Sequence, residues 1–136
     1  MARILVINDT QQILDLFRAI LEDEHHEVLL SGTPILKASE VEQIHPDLII
    51  LDVVFGDQQS GWQMLQMLRM QPATTCLPII LCTAALREVQ EQEGYLITQG
   101  VRVLYKPFDI DDLLSVTALA LAEHQKPISG KDPGRR

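Results

Sequence analysis

Five segments rich in apolar residues recur along the chain at regular spacing. They cover residues 3–7, 27–31, 48–51, 77–83 and 101–105. The third contains Leu48, Ile49, Ile50 and Leu51 without the alternation of polar and apolar residues that a half-solvated strand shows. Such a run is typical of a strand covered on both faces, as in a parallel sheet with helices on either side.

A helix is predicted after each of these strands, five in all. The first, capped by Asp9 or Thr10, contains Ile13, Leu14, Phe17, Ile20 and Leu21 and runs to Asp23. The second is predicted to open at Thr33-Pro34 and to end near Ile44. The other three are predicted from Trp62 to before Pro72, over residues 85–98, and after a cap at Asp109.

Strands that alternate with helices predict a parallel sheet joined by right-handed crossovers. The fold class is therefore α/β, a flavodoxin-like three-layer α/β/α sandwich with a five-stranded sheet in the order 2-1-3-4-5. One domain is expected over residues 1–124. Residues 125–136 are rich in proline, glycine and charge, and they predict a flexible C-terminal tail.

Composition narrows the classes of function. A chain of 136 residues suits one domain, and 46% hydrophobic against 22% charged residues predicts a folded globule. The formal net charge of −8 argues against nucleic-acid binding and favours a cation site. Cys76 and Cys82 are expected to be reduced thiols. No run of apolar residues is long enough for a membrane helix, and no signal peptide is evident, so a cytoplasmic location is expected.

Polar residues stand at the carboxyl ends of four predicted strands. Asn8 and Asp9 follow the first strand, Asp52 follows the third, Thr83 ends the fourth and Lys106 follows the fifth. In the predicted strand order these ends are neighbours at the ligand-binding edge of the sheet. Two carboxylates suit a divalent cation such as Mg²⁺, and a carboxylate can act as a nucleophile. Together with a hydroxyl and an ammonium, they indicate a phosphoryl-transfer site.

Over residues 2–124 the sequence resembles the receiver domain of bacterial two-component response regulators. The matching motifs are Ile4-Leu5-Val6-Ile7-Asn8-Asp9, Asp47-Leu48-Ile49-Ile50-Leu51-Asp52-Val53, Ser60-Gly61-Trp62, Pro78-Ile79-Ile80-Leu81-Cys82-Thr83-Ala84 and Lys106-Pro107-Phe108. As a set with this spacing they are highly specific, although each motif alone is common.

The resemblance implies that Asp52 accepts a phosphoryl group from a histidine kinase or a phosphotransfer protein. It implies that Asp9, Asp52 and the backbone carbonyl of Val54 hold Mg²⁺, with Asn8 contributing through water. Thr83 and Lys106 would respond to the phosphoryl group, and the Lys106-Pro107 peptide is usually cis in the family. Chemistry beyond self-phosphorylation and self-dephosphorylation is not expected, so the protein is not predicted to be an enzyme.

Signalling would then depend on a downstream protein partner, with the chain a monomer or weak dimer. Val103 stands where the family commonly has an aromatic switch residue. Tyr105, two residues later, lies on the same face of the strand. Tyr105 is therefore predicted to take part of the switch role, together with Thr83.

Two alternatives remain open. In a pseudoreceiver the fold serves as an interaction module without control by phosphorylation, and Asn8 and Val103 favour this reading. A small phosphatase would also use an aspartyl nucleophile. Such enzymes commonly carry a second aspartate two residues on, where this chain has Val54. Flavin binding is disfavoured because the turn after the first strand is acidic.

Overall fold

The protein is described by a computed structural model that covers residues 1–52, 60–84 and 86–125. Its strands are β1 (Arg3–Ile7), β2 (Glu27–Ser31), β3 (Leu48–Leu51), β4 (Ile79–Thr83) and β5 (Val101–Tyr105). Its helices in these ranges are α1 (Gln11–Asp23), α2 (Ala38–Ile44), α3 (Ser60–Met70), α4 (Leu86–Glu91), α5 (Glu93–Thr98) and α6 (Ile110–Gln125).

The strands form one parallel sheet in the order β2-β1-β3-β4-β5, which confirms the predicted topology. The register places Ile7 beside Leu51 and Thr83 beside Tyr105. Since all strands run in one direction, their carboxyl ends meet at one edge. The residues that follow β1, β3, β4 and β5 are therefore brought together.

Alternate strand residues face two separate hydrophobic cores, as the uninterrupted apolar runs predicted. Leu48 and Ile50 of β3 pack with Phe17 of α1 and Leu113 of α6 on one side. On the other side, Ile49 and Leu51 pack with residues of α2, α3, α4 and α5, including Val41, Leu65, Val89 and Leu96. Burying each such aliphatic side chain contributes about 1.5–3 kcal/mol. The sheet is thus covered on both faces, and the three-layer prediction is confirmed.

The second helix begins later than predicted. Thr33-Pro34 was expected to open it, but α2 starts at Ala38. The segment between them is held by tertiary contacts: Ile35 packs against the core on the α3 side, and its backbone N–H donates to the sulfur of Met64 (3.3 Å). Lys37, the residue before the helix, is extended (φ −116°, ψ 121°).

The predicted helix over residues 85–98 is divided in two in the structure. Gln92 separates α4 from α5, with φ −102° and ψ 7°, and its N–H donates to the carbonyl of Val89 (3.1 Å) in a tight turn. Gly94 lies just after the break. A glycine costs a helix about 1 kcal/mol relative to alanine, so continuous propagation is weak there.

β4 begins at Ile79, two residues after the predicted start. The N–H of Leu77 bonds back to the carbonyl of Thr74 (3.1 Å), which places Leu77 in a turn. Pro78 has no N–H to donate, although its carbonyl accepts from Ile49 N–H (3.1 Å). Backbone N–H donation along this strand therefore starts only after the proline.

Asp109 caps the last helix as predicted. Its Oδ1 accepts the N–H of Asp112 (2.8 Å), and Asp112 Oδ2 accepts the N–H of Asp109 (3.4 Å). This reciprocal pair satisfies two backbone donors at the start of α6. At α1 the N-cap residue is Thr10, whose side chain makes no capping bond.

No helix among residues 1–52, 60–84 and 86–125 is both long and apolar enough to cross a bilayer. Most of the predicted tail, residues 126–136, lies outside the described ranges. The tail therefore stays a prediction.

Candidate functional site

Four of the predicted site residues lie at the carboxyl edge of the sheet. Asn8 follows β1, Asp52 follows β3, Thr83 ends β4 and Lys106 follows β5. Backbone bonds extend the strand pairing to these positions: Asp52 N–H donates to Ile7 O (3.1 Å), and Lys106 N–H donates to Thr83 O (2.9 Å). These backbone hydrogen bonds therefore fix the positions of the Cα atoms that carry these side chains.

The carboxylate of Asp52 is the centre of this group. Only 8% of the residue is exposed, and its Oδ2 lies 3.1 Å from Lys106 Nζ and 3.3 Å from Asn8 Nδ2. A buried carboxylate is costly unless its charge is compensated and hydrogen-bonded. Lys106, after β5, supplies the opposite charge. Asn8, after β1 on the other side of β3, supplies a neutral donor.

Asn8 is itself buried, with 3% exposure, and both ends of its amide are engaged. Its Oδ1 accepts the backbone N–H of Thr10 (2.9 Å) and its Nδ2 donates to Asp52 Oδ2, while its backbone N–H donates to Ser31 O (3.1 Å). The direct bond to Asp52 was missed by sequence reasoning, which predicted action through water. Asparagine commonly bonds the backbone two residues on, so the sequence could have suggested the bond to Thr10 but not the one to Asp52.

Asp9 and Thr83 flank this group in different environments. Asp9 is exposed, and its Oδ1 accepts from the hydroxyl of Thr10 (3.3 Å). Thr83 is buried at 1% exposure, beside Tyr105 in the strand register. Val54, predicted to offer a backbone carbonyl, lies outside the described residues.

The two predicted switch positions on β5 lie on the same face of the sheet. Val103 and Tyr105 are both half-buried and pack against the core on the side of α3, α4 and α5. The same-face prediction is confirmed. The Lys106-Pro107 peptide is cis, as the family resemblance implied.

Cys82 lies next to the site but has no reactive thiolate. Burial, the largest cause, raises its pKa to about 12, against the opposing effect of Lys106 and with a smaller contribution from Asp52. The thiol is therefore protonated near neutral pH, which rules it out as a nucleophile there. Cys76 is a free, exposed thiol away from this edge.

Hard oxygen ligands for a cation come from Asp9 and Asp52. Within the described part of the chain, no three His, Cys, Asp or Glu side chains are grouped closely enough to hold a metal ion. Mg²⁺ differs from zinc or calcium in this respect, because one or two carboxylates suffice and water completes its shell. The two carboxylates therefore fit Mg²⁺ in kind.

A family model for the response regulator receiver domain matches residues 4–118. The chain belongs to this family. Receiver domains are signalling modules of bacterial two-component systems rather than enzymes in the usual sense.

Two relatives show how the chain compares with other members. Protein PilH of Pseudomonas aeruginosa is 30% identical over 123 residues, which make up 90% of this receiver domain's chain and 99% of PilH. The DNA-binding dual master transcriptional regulator RpaA of Synechocystis sp. is 31% identical over 132 residues, 96% of this chain. The chain spans 54% of RpaA, about half of that relative's length.

The fold comparison agrees. The chemotaxis protein CheY4 of Vibrio cholerae has a TM-score of 0.74 and 26% sequence identity, over 88% of this chain and 98% of CheY4. The flavodoxin-like receiver fold is thus shared across the whole of that structure.

Proposed function

We propose that this receiver domain accepts a phosphoryl group on Asp52 from a histidine kinase or a phosphotransfer protein, and signals through a protein partner. The observation that carries this proposal is the partly buried ion pair between Lys106 Nζ and Asp52 Oδ2 at 3.1 Å. A lysine within reach of the acceptor carboxylate is also within reach of a phosphoryl group attached to it. Family membership supports the same assignment.

The transfer is a substitution at phosphorus. A carboxylate oxygen of Asp52 forms the new O–P bond while the donor's P–N bond breaks, and the leaving imidazole takes up a proton. The product is a mixed anhydride, and its later hydrolysis by water returns Asp52 to the carboxylate and releases inorganic phosphate. Positioning and charge compensation supply most of the catalysis in such reactions.

Receiver domains bind Mg²⁺ in their active site. In this chain Asp9 and Asp52 would hold the ion, and the carbonyl of Val54 is the third proposed ligand. When bound, Mg²⁺ neutralises charge on the phosphoryl oxygens.

After transfer, Lys106 and Thr83 would contact the new phosphoryl oxygens. Lys106 would pair as a point charge, and the hydroxyl of Thr83 would donate a hydrogen bond. Such contacts bias a two-state element toward one state. Thr83 lies beside Tyr105 in the register, so a movement of Thr83 would reach Tyr105 directly.

The first test is intact mass after incubation with acetyl phosphate, with and without Mg²⁺. The parent protein should gain one phosphoryl group in a Mg²⁺-dependent reaction, and Asp52→Asn should gain none. Asp47→Asn is the matched control, because it makes the same change at the opposite end of β3 and should be phosphorylated like the parent. An equal gain in Asp52→Asn would remove the site. No gain in the parent with this donor, or with a histidine kinase, would favour the pseudoreceiver alternative.

A second test addresses the switch. Tyr105→Ala should leave phosphorylation of Asp52 nearly intact, yet it should reduce the phosphorylation-dependent amide shifts of residues 86–105. The measurement is a pair of amide correlation spectra, before and after phosphorylation, for parent and variant. Val101→Ala, on the same face of β5 and without a predicted switch role, is the control and should keep shifts of parental size. Shifts of full size in Tyr105→Ala would mean that Tyr105 only packs.

The cytoplasm is the proposed location, because histidine kinases present their phosphoryl groups there. A partner must distinguish the phosphorylated from the unphosphorylated protein. Its docking surface is therefore expected to include the residues that the switch moves. The acidic net charge of −8 favours a protein partner over nucleic acid.

A further inference from the structure

The amide of Asn8 has one defined orientation. A backbone N–H, that of Thr10, donates to its Oδ1 at 2.9 Å, and a backbone donor requires an acceptor opposite it. The NH₂ group of Asn8 must therefore be the end that faces Asp52. This assignment follows from the local chain and does not depend on the charge state of Asp52.

The position of Asn8 is as fixed as its orientation. Its backbone N–H continues the pairing with β2 by donating to Ser31 O (3.1 Å). Only 3% of the residue is exposed to solvent. The NH₂ group thus reaches Asp52 Oδ2 (3.3 Å) from a rigid base at the end of β1.

A donor at this position has a different effect from an acid. An aspartate in the same place would direct a second negative charge at Asp52, and the pair would need a cation between them. Asn8 instead donates to the oxygen that also pairs with Lys106.

We propose that Asn8 is a positioning residue for the acceptor: its amide hydrogen-bonds Asp52 and holds that carboxylate in place before any cation binds. Because Asp52 is the proposed phosphoacceptor, this role rests on the proposed function. The contact itself is measurable without phosphoryl groups or metal. A failed test of the Asn8–Asp52 contact can therefore be told apart from a failed test of phosphorylation at Asp52.

Asn8 is the only asparagine of the chain, so selective ¹⁵N-asparagine labelling gives a single side-chain NH₂ signal pair. In metal-free protein, at least one of its protons should exchange with water more slowly than in a free asparagine. Asp52→Ala should shift this pair and speed its exchange, whereas Asp47→Ala should leave it unchanged. If Asp52→Ala leaves the signals unmoved, the contact is absent and the proposal fails, even if phosphorylation occurs.

The second measurement uses the Mg²⁺ dependence of phosphorylation by acetyl phosphate. Asn8→Ala should lower the rate roughly fivefold at saturating Mg²⁺, the effect of one lost positioning bond. Asn8→Asp should bind Mg²⁺ about tenfold more tightly in calorimetry, because it adds a charge near the ion. Its rate should approach that of the parent only when Mg²⁺ is saturating.

A purely structural Asn8 predicts a different pattern. In that case Asn8→Ala and Asn8→Asp would lose folding stability together, with rates at saturating Mg²⁺ equal to the parent's. Equal rates in folded Asn8→Ala and parent protein would overturn the positioning role. Urea unfolding of each variant establishes that the comparison is made on folded protein.

Discussion

The two edges of the sheet both carry ion pairs, but they use them differently. At the carboxyl edge, Lys106 and Asp52 lie 3.1 Å apart with side chains 24% and 11% exposed. At the amino edge, Arg102 and Glu123 lie only 2.6 Å apart, yet their side chains are 34% and 57% exposed. The shorter contact is the more solvated one. Burial, rather than distance, therefore decides which pair the fold depends on.

The polar groups of the amino edge mainly satisfy backbone atoms. Arg3 donates to the carbonyl of Ile44 (2.6 Å), and the N–H of Arg3 donates to Asp47 Oδ2 (2.8 Å). The N–H of Ala2 donates to Nδ1 of His26 (3.2 Å). Each bond ties the start of β1 to a loop or helix end elsewhere in the chain. At the carboxyl edge the side chains of Asn8 and Lys106 both bond to the carboxylate of Asp52.

The largest expected effect on stability comes from Lys106→Met. It removes the ammonium that lies 3.1 Å from the buried Asp52 carboxylate, and the free energy of unfolding should fall by about 2–3 kcal/mol. Urea unfolding at neutral pH measures the change. Arg102→Met is the matched control at the amino edge, where an exposed pair is worth about 0–1 kcal/mol. Equal losses would erase the difference between the edges.

A smaller effect is expected at Asp47. Asp47→Ala removes the acceptor of the Arg3 N–H, so the free energy of unfolding should fall by about 1 kcal/mol. Asp15→Ala serves as control, because Asp15 accepts only from the exposed side chain of Gln11 (2.8 Å) among the described bonds. If the two variants unfold at the same urea concentration, the backbone role of Asp47 is refuted.

The smallest effect concerns pH. Burial lowers the pKa of His26 below its ordinary 6.5, with a further lowering from the positive amino terminus. The unfolded chain then binds more protons than the folded one, so stability rises with pH up to the unfolded value and is lost as pH falls below it. In addition, Nδ1 must be unprotonated to accept the Ala2 N–H.

Urea unfolding at about pH 7.5 and about pH 5.5 measures this contribution. His26→Gln should lose less stability between the two conditions than the parent. His45→Asn is the control, since His45 is exposed in a left-handed conformation (φ 54°) that asparagine tolerates. A pH dependence unchanged in His26→Gln would mean that other groups set it.

Much of the fold was predictable because the strongest signal is local. The runs around Ile49 and Ile80 have no polar alternation, and strands covered on both faces need none. The start of α2 was not predictable, since Ile35 is held by Met64, a partner 29 residues away. The division at Gln92 was missed because Val89 and Leu96 on either side are seven residues apart, which is a helical spacing.

At the site, residue identity and strand order predicted which side chains meet. They did not predict how the side chains bond. The orientation of the Asn8 amide depends on the Thr10 N–H. The pairing of Lys106 with Asp52 depends on how far each side chain is buried. These contacts depend on how four strands are aligned with one another in the sheet. No single sequence motif contains that information.

The central claim is that Asp52 is the residue that accepts the phosphoryl group. Borohydride reduces an aspartyl phosphate to homoserine, so treatment after reaction with acetyl phosphate and Mg²⁺ marks the acceptor, and peptide mass spectrometry locates it. The expected result is homoserine at position 52 in the parent and at no position in Asp52→Asn. Homoserine at Asp9, or none after a confirmed gain of phosphoryl mass, would contradict the claim.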